Sequence, residues 1–141
     1  MRVLVTGGLG FIGHHLVEVL LHKTGWDIVI LDGLTYAGDT SRVTSLHNYD
    51  PKRVSVIWHD LRAPINSFTD NAIGNIDYVL DLASESHVDR SIIDPVSTIQ
   101  SNVSVVLNLF EWAKTRDIKK IYSCQHGRWL WLGEAFHGTD V

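Results

Sequence analysis

The 141 residues are 45% hydrophobic and 20% charged with a formal net charge of −4, a balance that can bury one core and excludes disordered, collagen-like and coiled-coil classes. With no Lys/Arg-rich run the chain carries no electrostatic footprint for nucleic acid or an anionic membrane, and no apolar run reaches the roughly 18 residues that span a bilayer. A single cysteine, Cys124, excludes an internal disulfide framework, and one basic residue followed at once by VLVTGG is no signal-peptide pattern, so a reducing cytoplasm is the expected compartment.

Residues 2–6, RVLVT, predict a short strand. From Phe11 the apolar residues Ile12, Leu16, Val19 and Leu20 fall at helical spacing, and Gly25 is placed to end that helix as a left-handed cap. DIVILD, 27–32, predicts the second strand and RVSVIWHD, 53–60, the third. Pro64 then opens a short helix with Ile65, Phe68 and Ala72 on one face, closing at Gly74. IDYVLDLA, 76–83, is the fourth strand. Asp94 reads as an N-cap with Pro95 at the first helical position of a long helix whose apolar stripe is Val96, Ile99, Val103, Val106, Phe110 and Ala113. A fifth strand, KKIYS, starts near Lys119. Nearly continuous apolar strands alternating with helices predict an α/β fold, a parallel sheet covered on both faces through right-handed connections. The domain is expected to span 1–123. The remainder, 124–141, holds two of the five tryptophans and shows no period.

The chemistry begins at TGGLGFIG, 6–13, which sets Gly7, Gly10 and Gly13 at G-x-x-G-x-x-G spacing between strand and helix. Glycine is required there where the turn needs positive φ, where backbone approaches a pyrophosphate, and where helix packs on strand, while the helix start offers free N–H groups to the anion. Alone the motif is weak, since a plain tight turn has the same composition. Asp32 ends the second strand 19 residues after Gly13, close to the ~20 expected of a carboxylate that accepts from ribose hydroxyls. Together these predict a doubly wound, three-layer Rossmann fold that binds a dinucleotide. A carboxylate at that place repels a ribose phosphate and no arginine immediately follows it, which favours NAD over NADP. Asp60 reads equally as an acceptor for the adenine amine or as an N-cap for the next helix. Thr35 and Tyr36 are either turn residues or donors over the adenosine edge.

TGGLGFIG, DGLTYAGD (32–39), HDLR (59–62) and LASESHVDRSIIDP (82–95), in this order, resemble the extended short-chain dehydrogenase/reductase, or NAD-dependent epimerase/dehydratase, family. The LTYAG loop and the SESHVDRS block are most similar to its dTDP-glucose 4,6-dehydratase branch, and the similarity covers 1 to about 123. The resemblance implies that NAD is held by Gly7, Gly10, Phe11, Ile12, Gly13, Asp32, Gly33, Leu34, Thr35, Asp60, Leu61, Leu82, Ala83, Ser84, Glu85, Ser86 and Ser101. It implies that the segment around Glu85 closes over the centre of the cofactor and that Ser86 also reaches the sugar of a nucleotide-sugar substrate. It further implies a homodimer built through helices of this half, for which the 95–115 helix is the expected carrier. His87, Asp89 and Arg90 are expected either near that site or bracing the turn into the long helix. Asn102 beside Ser101 is expected to serve the backbone of a neighbouring loop. Two positions depart from the pattern: Asp81 stands where the family usually has histidine and Ser84 where it usually has alanine. An unpartnered carboxylate at 81 would weaken cofactor binding unless it finds a donor.

The implied reaction is an internal hydride transfer: hydride leaves the sugar C4, the C5 proton is lost with water from C6, and hydride returns to C6. In the family a Tyr-x-x-x-Lys pair and a Thr-Asp-Glu segment supply the proton transfers. None of Tyr36, Tyr49, Tyr78 and Tyr122 has lysine four residues on, so no catalytic residue is expected among those present and the chain is expected to be inactive by itself. Where the family reads IYVSTDEVYG this chain reads IYSCQHGRWLWLG. Codons for Cys124 onward, read one base later, permit Val-Ser-Thr-Asp, then Tyr-Gly from Leu130-Trp131, then Phe-Thr-Glu from 136–138. A one-base frame slip near residue 123 is therefore one expectation. The other is a genuine short protein whose Trp129, Trp131 and Phe136 cover the edge of the fifth strand. An epimerase fragment and a non-catalytic dinucleotide-binding module are the alternative functions. Metal chemistry is not expected, since His14 and His15 are adjacent and no metal-ligand spacing occurs.

Overall fold

The computed structural model describes the backbone of residues 1–125 and 128–134, with side chains through Cys124 except that of Arg90. Five strands, β1 (Arg2–Thr6), β2 (Asp27–Asp32), β3 (Val54–Trp58), β4 (Tyr78–Asp81) and β5 (Lys120–Gln125), pair in parallel, and β6 (Arg128–Glu134) runs antiparallel beside β5. The order across the sheet is β3-β2-β1-β4-β5-β6. The helices are α1 (Gly13–Lys23), α2 (Ser41–Thr44), α3 (Ser67–Ile73), α4 (Val88–Ile93) and α5 (Pro95–Ala113). Alternate side chains of each strand feed opposite layers. Val3, Val5, Ile28, Ile30 and Val54 pack beneath Val17, Leu20 and Leu21 of α1. Leu4, Val29, Leu31, Val79 and Ile121 pack beneath Ile73 of α3 and Leu109, Trp112 and Ala113 of α5. The expected three-layer, doubly wound Rossmann arrangement is what forms, because strands buried on both faces need two helical covers.

Three helices differ in detail from the sequence reading. α1 buries Gly13, Val17, Leu20 and Leu21, whereas Phe11, Ile12 and Val19 are exposed. Its end is not a glycine cap: Thr24 is extended, and Arg53, from just before β3, donates to the carbonyls of Leu21 and Thr24 while Thr24 Oγ1 donates to that of Leu20. A guanidinium brought in from 29 residues away satisfies the orphan carbonyls that Gly25 was expected to serve. α3 is capped by Asn66, whose Oδ1 accepts from the amide of Thr69 at 2.9 Å, so Pro64 and Ile65 precede it, and Phe68 is exposed. Gly74 closes α3 with φ +68, as expected. Asp94 caps α5 through the amide of Ser97 at 3.0 Å with Pro95 in the first turn, also as expected.

α5 has two apolar stripes. Val105, Leu109, Trp112 and Ala113 face the core, with Phe110 packed against it, while Val96, Ile99, Val103 and Leu107 face solvent. The expected stripe therefore mixed the two faces. Beyond Ser86 α4 forms, and α2 follows the loop after β2, two short helices that the sequence reading did not place. In β6 Trp131 is the register partner of Tyr122 and Trp129 that of Cys124; Phe136 lies outside the described residues. Among the described residues no helix is long and apolar enough to cross a membrane.

Candidate functional site

The site lies where the strand order turns about β1, at the carboxyl ends of β1, β2 and β4, the place where parallel sheets leave a crevice. Its floor is the glycine turn between β1 and α1. Gly7 has φ +65, and a Cβ there would stand 2.9 Å from the carbonyl oxygen of Leu82. A Cβ on Gly13 would stand 2.1 Å from the carbonyl oxygen of Gly7, so this glycine lets α1 start directly on the turn. Gly10 donates to the Gly7 carbonyl at 3.1 Å and presents its other side to the cleft. Gly7 thus meets the positive-φ requirement and Gly13 the close-packing one, while Gly10 faces the cleft.

Leu9, fully buried between them, pins the turn to its surroundings. Its amide donates to Asp32 Oδ2 at 3.0 Å, and its carbonyl accepts from the Asp39 amide at 3.2 Å and from Arg42 Nη1 at 3.1 Å. Asp32 Oδ1 accepts from the amide of Leu34 at 2.9 Å. Two backbone donors therefore orient the carboxylate at the tip of β2, beside the helix start that suits an anion.

Farther along the cleft Asp60 binds the guanidinium of Arg62, with Nε 3.0 and 2.9 Å from its two oxygens, and accepts the Arg62 amide at 3.0 Å. The Arg62 hydrogen bonds hold the Asp60 carboxyl below the usual carboxylate range, against a partial burial that pushes it up, and Asp60 in turn raises Arg62. Asp60 caps no helix, since Asn66 does so for α3; the capping alternative is excluded by six residues of intervening loop.

The far wall is 82–86. Asn102 of α5 clamps it, with Oδ1 accepting from the Glu85 amide at 2.7 Å and Nδ2 donating to the Glu85 carbonyl at 3.1 Å, the backbone service expected of this residue. Across the mouth, Tyr36 donates to Glu85 Oε1 at 2.5 Å and its ring meets the edge of His87 with centroids 5.7 Å apart. Asp89 lies in the first turn of α4, the short helix that precedes α5. Asp81 is fully buried and finds hydroxyl donors in Thr6 and Ser123, so the uncompensated charge that its position suggested does not arise.

Of the expected residues, Gly7, Gly10, Asp32, Gly33, Thr35, Asp60, Leu61, Leu82, Ala83, Ser84, Glu85, Ser86 and Ser101 line one cleft. Gly13 supports it from behind, and Phe11, Ile12 and Leu34 are not in its lining, the first two standing 75% and 64% exposed at the outer start of α1. The cleft also takes Leu31, Ala37, Gly38, His59, Arg62 and Val105, which the sequence reading did not single out. Flanking positions of DGLTYAGD and HDLR were the available signal for all but Leu31 and Val105, which enter through strand and helix geometry. Among the described residues no group of histidine, cysteine and carboxylate side chains could hold a metal ion.

Residues 3–125 match the model of the NAD dependent epimerase/dehydratase family. The low-salt glycan biosynthesis protein Agl12 of Haloferax volcanii is 35% identical over 120 residues, 85% of this chain and 37% of that protein. A dTDP-glucose 4,6-dehydratase of Escherichia coli is 36% identical over 120 residues, 81% of this chain and 31% of the enzyme. Among solved structures, the dTDP-glucose 4,6-dehydratase DesIV of Streptomyces venezuelae, with NAD and TYD bound, superposes with TM-score 0.73 at 32% identity over 86% of this chain and 38% of its own. The UDP-glucose 4-epimerase of Thermus thermophilus in complex with NAD superposes with TM-score 0.70 at 34% identity, over 86% of this chain and 36% of its own. The chain spans about a third of the length of these relatives.

Proposed function

This chain belongs to the NAD dependent epimerase/dehydratase family, and from that membership we propose that it is the NAD-binding portion of a nucleotide-sugar 4,6-dehydratase acting on dTDP-glucose. The observation that carries the proposal is the meeting, in one cleft, of the glycine turn, the Asp32 carboxylate and the 82–86 wall, which ends in the first three residues of the SESHVDRS block. The residues fit the cofactor: the amide-rich start of α1 accepts a diphosphate, and Asp32, held by two backbone amides, accepts from ribose hydroxyls. Asp60, Leu61 and Ser101 line the part of the cleft assigned to the adenine side, and Ser86 at the exposed end of the wall is assigned to the sugar. Bound there, the nicotinamide supplies a reversible hydride acceptor for the sugar.

No tyrosine of the 141 residues has lysine four positions on, so the proposal assigns cofactor binding to these residues and no proton transfer, and the chain alone is assigned no turnover. The domain is taken as 1–123, with 124–141 read as a frame-slip product; DNA that, one base out of frame after the Ser123 codon, does not encode both Ser-Thr-Asp and a later Tyr-x-x-x-Lys rejects that part. The solvent-facing stripe Val96, Ile99, Val103 and Leu107 is assigned to a second copy of this chain, and the compartment to the cytoplasm.

The test is calorimetry with NAD on the purified chain, followed by an assay for conversion of dTDP-glucose to a 4-keto-6-deoxy sugar. Heat of NAD binding without turnover is the expected result. Absence of NAD binding rejects the proposal. The epimerase reading, favoured by the likeness to the Thermus thermophilus enzyme, predicts instead that the complete gene product interconverts sugar C4 epimers. A non-catalytic module predicts NAD retention with neither reaction in any longer product.

A further inference from the structure

Resting on the NAD-binding reading, we propose that Asp81 is a positioning residue for the cofactor, acting through the hydroxyl of Thr6 on the peptide that closes the cleft. Thr6, Asp81 and Ser123 occupy the last register positions of three neighbouring parallel strands, Thr6 opposite Asp81 and Asp81 opposite Ser123. All three are buried, at 0%, 0% and 1% exposure. Thr6 Oγ1 donates to Asp81 Oδ1 at 2.5 Å and Ser123 Oγ donates to Asp81 Oδ2 at 2.7 Å. Both carboxyl oxygens are thus met by hydroxyl donors, without which a carboxyl at this depth is costly.

A threonine hydroxyl has one proton and two lone pairs. With its proton committed to Asp81, Thr6 Oγ1 has its lone pairs left for the amides of Leu82 and Ala83, each 3.2 Å away. Those two residues begin the cleft wall. The same peptide lies on the first glycine of the turn: a Cβ on Gly7 would meet the Leu82 carbonyl oxygen at 2.9 Å and the Ala83 amide nitrogen at 3.0 Å. The path from Asp81 to Thr6 to Leu82 and Ala83 to Gly7 therefore fixes how far the wall stands from the glycine turn, which is the width available to a diphosphate. Without the acceptor at 81, the Thr6 proton competes for its own lone-pair directions and the wall loses its register. Asp81 does not itself line the cleft; besides acting through Thr6 it accepts weakly from the Ala83 amide at 3.4 Å, so its action is on the position of the wall.

The test measures NAD affinity by calorimetry and amide hydrogen exchange by NMR on the full chain and four variants. Asp81→Leu is expected to raise the NAD Kd about tenfold or more and to speed exchange of the Leu82 and Ala83 amides, with Ile28 and Ile30 of β2 unchanged. Thr6→Val is expected to do the same, Thr6→Ser to restore both to near the parent values, and Asp81→Asn, which keeps an acceptor for Thr6, to stay near the parent. Should Asp81→Leu fail to fold, the two Thr6 variants decide. Faster Leu82 and Ala83 exchange with an unchanged NAD Kd overturns the proposal, as does equal acceleration across β2, which marks a general loss of stability. If the parent chain itself binds no NAD, the cofactor reading fails and with it the binding arm, while the exchange arm still reports whether Asp81 holds the wall.

Discussion

Replacing Gly13 by alanine isolates the contact on which the cleft floor depends. The added Cβ would stand 2.1 Å from the Gly7 carbonyl oxygen, 2.8 Å from Gly8 Cα and 2.9 Å from the Gly7 carbonyl carbon, all backbone atoms that no rotamer can move. Reaching a tolerable separation of 3 Å or more requires the start of α1 and the turn to part by about 1 Å, and overpacking of this kind costs roughly 1–3 kcal/mol. For a domain of this size that lowers the melting temperature by about 4–10 °C. The same displacement moves the helix-start amides from the diphosphate by a comparable distance, so NAD affinity is expected to fall by one to two orders of magnitude, roughly 1.4 kcal/mol per tenfold. Gly25→Ala is the matched control. Nothing lies within 4 Å of its added Cβ and its φ is not in the left-handed region, so it is expected to be neutral or to stabilise by up to about 1 kcal/mol through the unfolded chain. Scanning fluorimetry and calorimetry with NAD read both quantities. A Gly13→Ala variant that melts within a degree of the parent and binds NAD equally well refutes the close packing of α1 on the turn.

Asp32→Asn places an amide where two backbone N–H groups converge and removes the charge offered to the ribose, so the NAD Kd is expected to rise about 10- to 100-fold by calorimetry; an unchanged Kd removes Asp32 from the site. Arg62 depresses the folded-state pKa of Asp60, so their pairing contributes stability above the unfolded value of about 3.9 and loses it as the pH falls through the lower folded value. The pair is partly exposed, so Asp60→Asn is expected to cost at most about 1 kcal/mol at neutral pH, shrinking toward nothing near pH 2; a penalty that grows in acid contradicts the assigned cause. Val103→Glu on the solvent-facing stripe of α5, where Val103 is 60% exposed, is expected to abolish a dimer seen by sedimentation while changing monomer stability by no more than about 0.5 kcal/mol. A parent chain that is monomeric at every concentration tested rejects the second-copy assignment.

Local chemistry made much of the architecture legible from the chain alone. β1 and β2 are where the apolar runs placed them, Gly74 closes α3, and Asp94-Pro95 starts α5, because each rests on a preference that a few neighbouring residues satisfy among themselves. The glycine spacing and Asp32 were readable for the same reason: positive φ, close approach and a strand-tip carboxylate are properties of short segments. Periodicity was less informative on α5, where it showed apolar residues without saying which of two directions held the core.

What sequence by itself determined is the succession of β1 to β5 with α1, α3 and α5, the glycine turn at the start of α1 and the carboxylate beside it. Only the tertiary structure decided that Arg53 rather than Gly25 closes α1 and that Asp81 is satisfied by Thr6 and Ser123. Thr6 and Asp81 are 75 residues apart and Asp81 and Ser123 are 42. A buried polar group must find its partner wherever strand pairing delivers one, and parallel pairing joins segments separated by whole helices, a distance that no local pattern records.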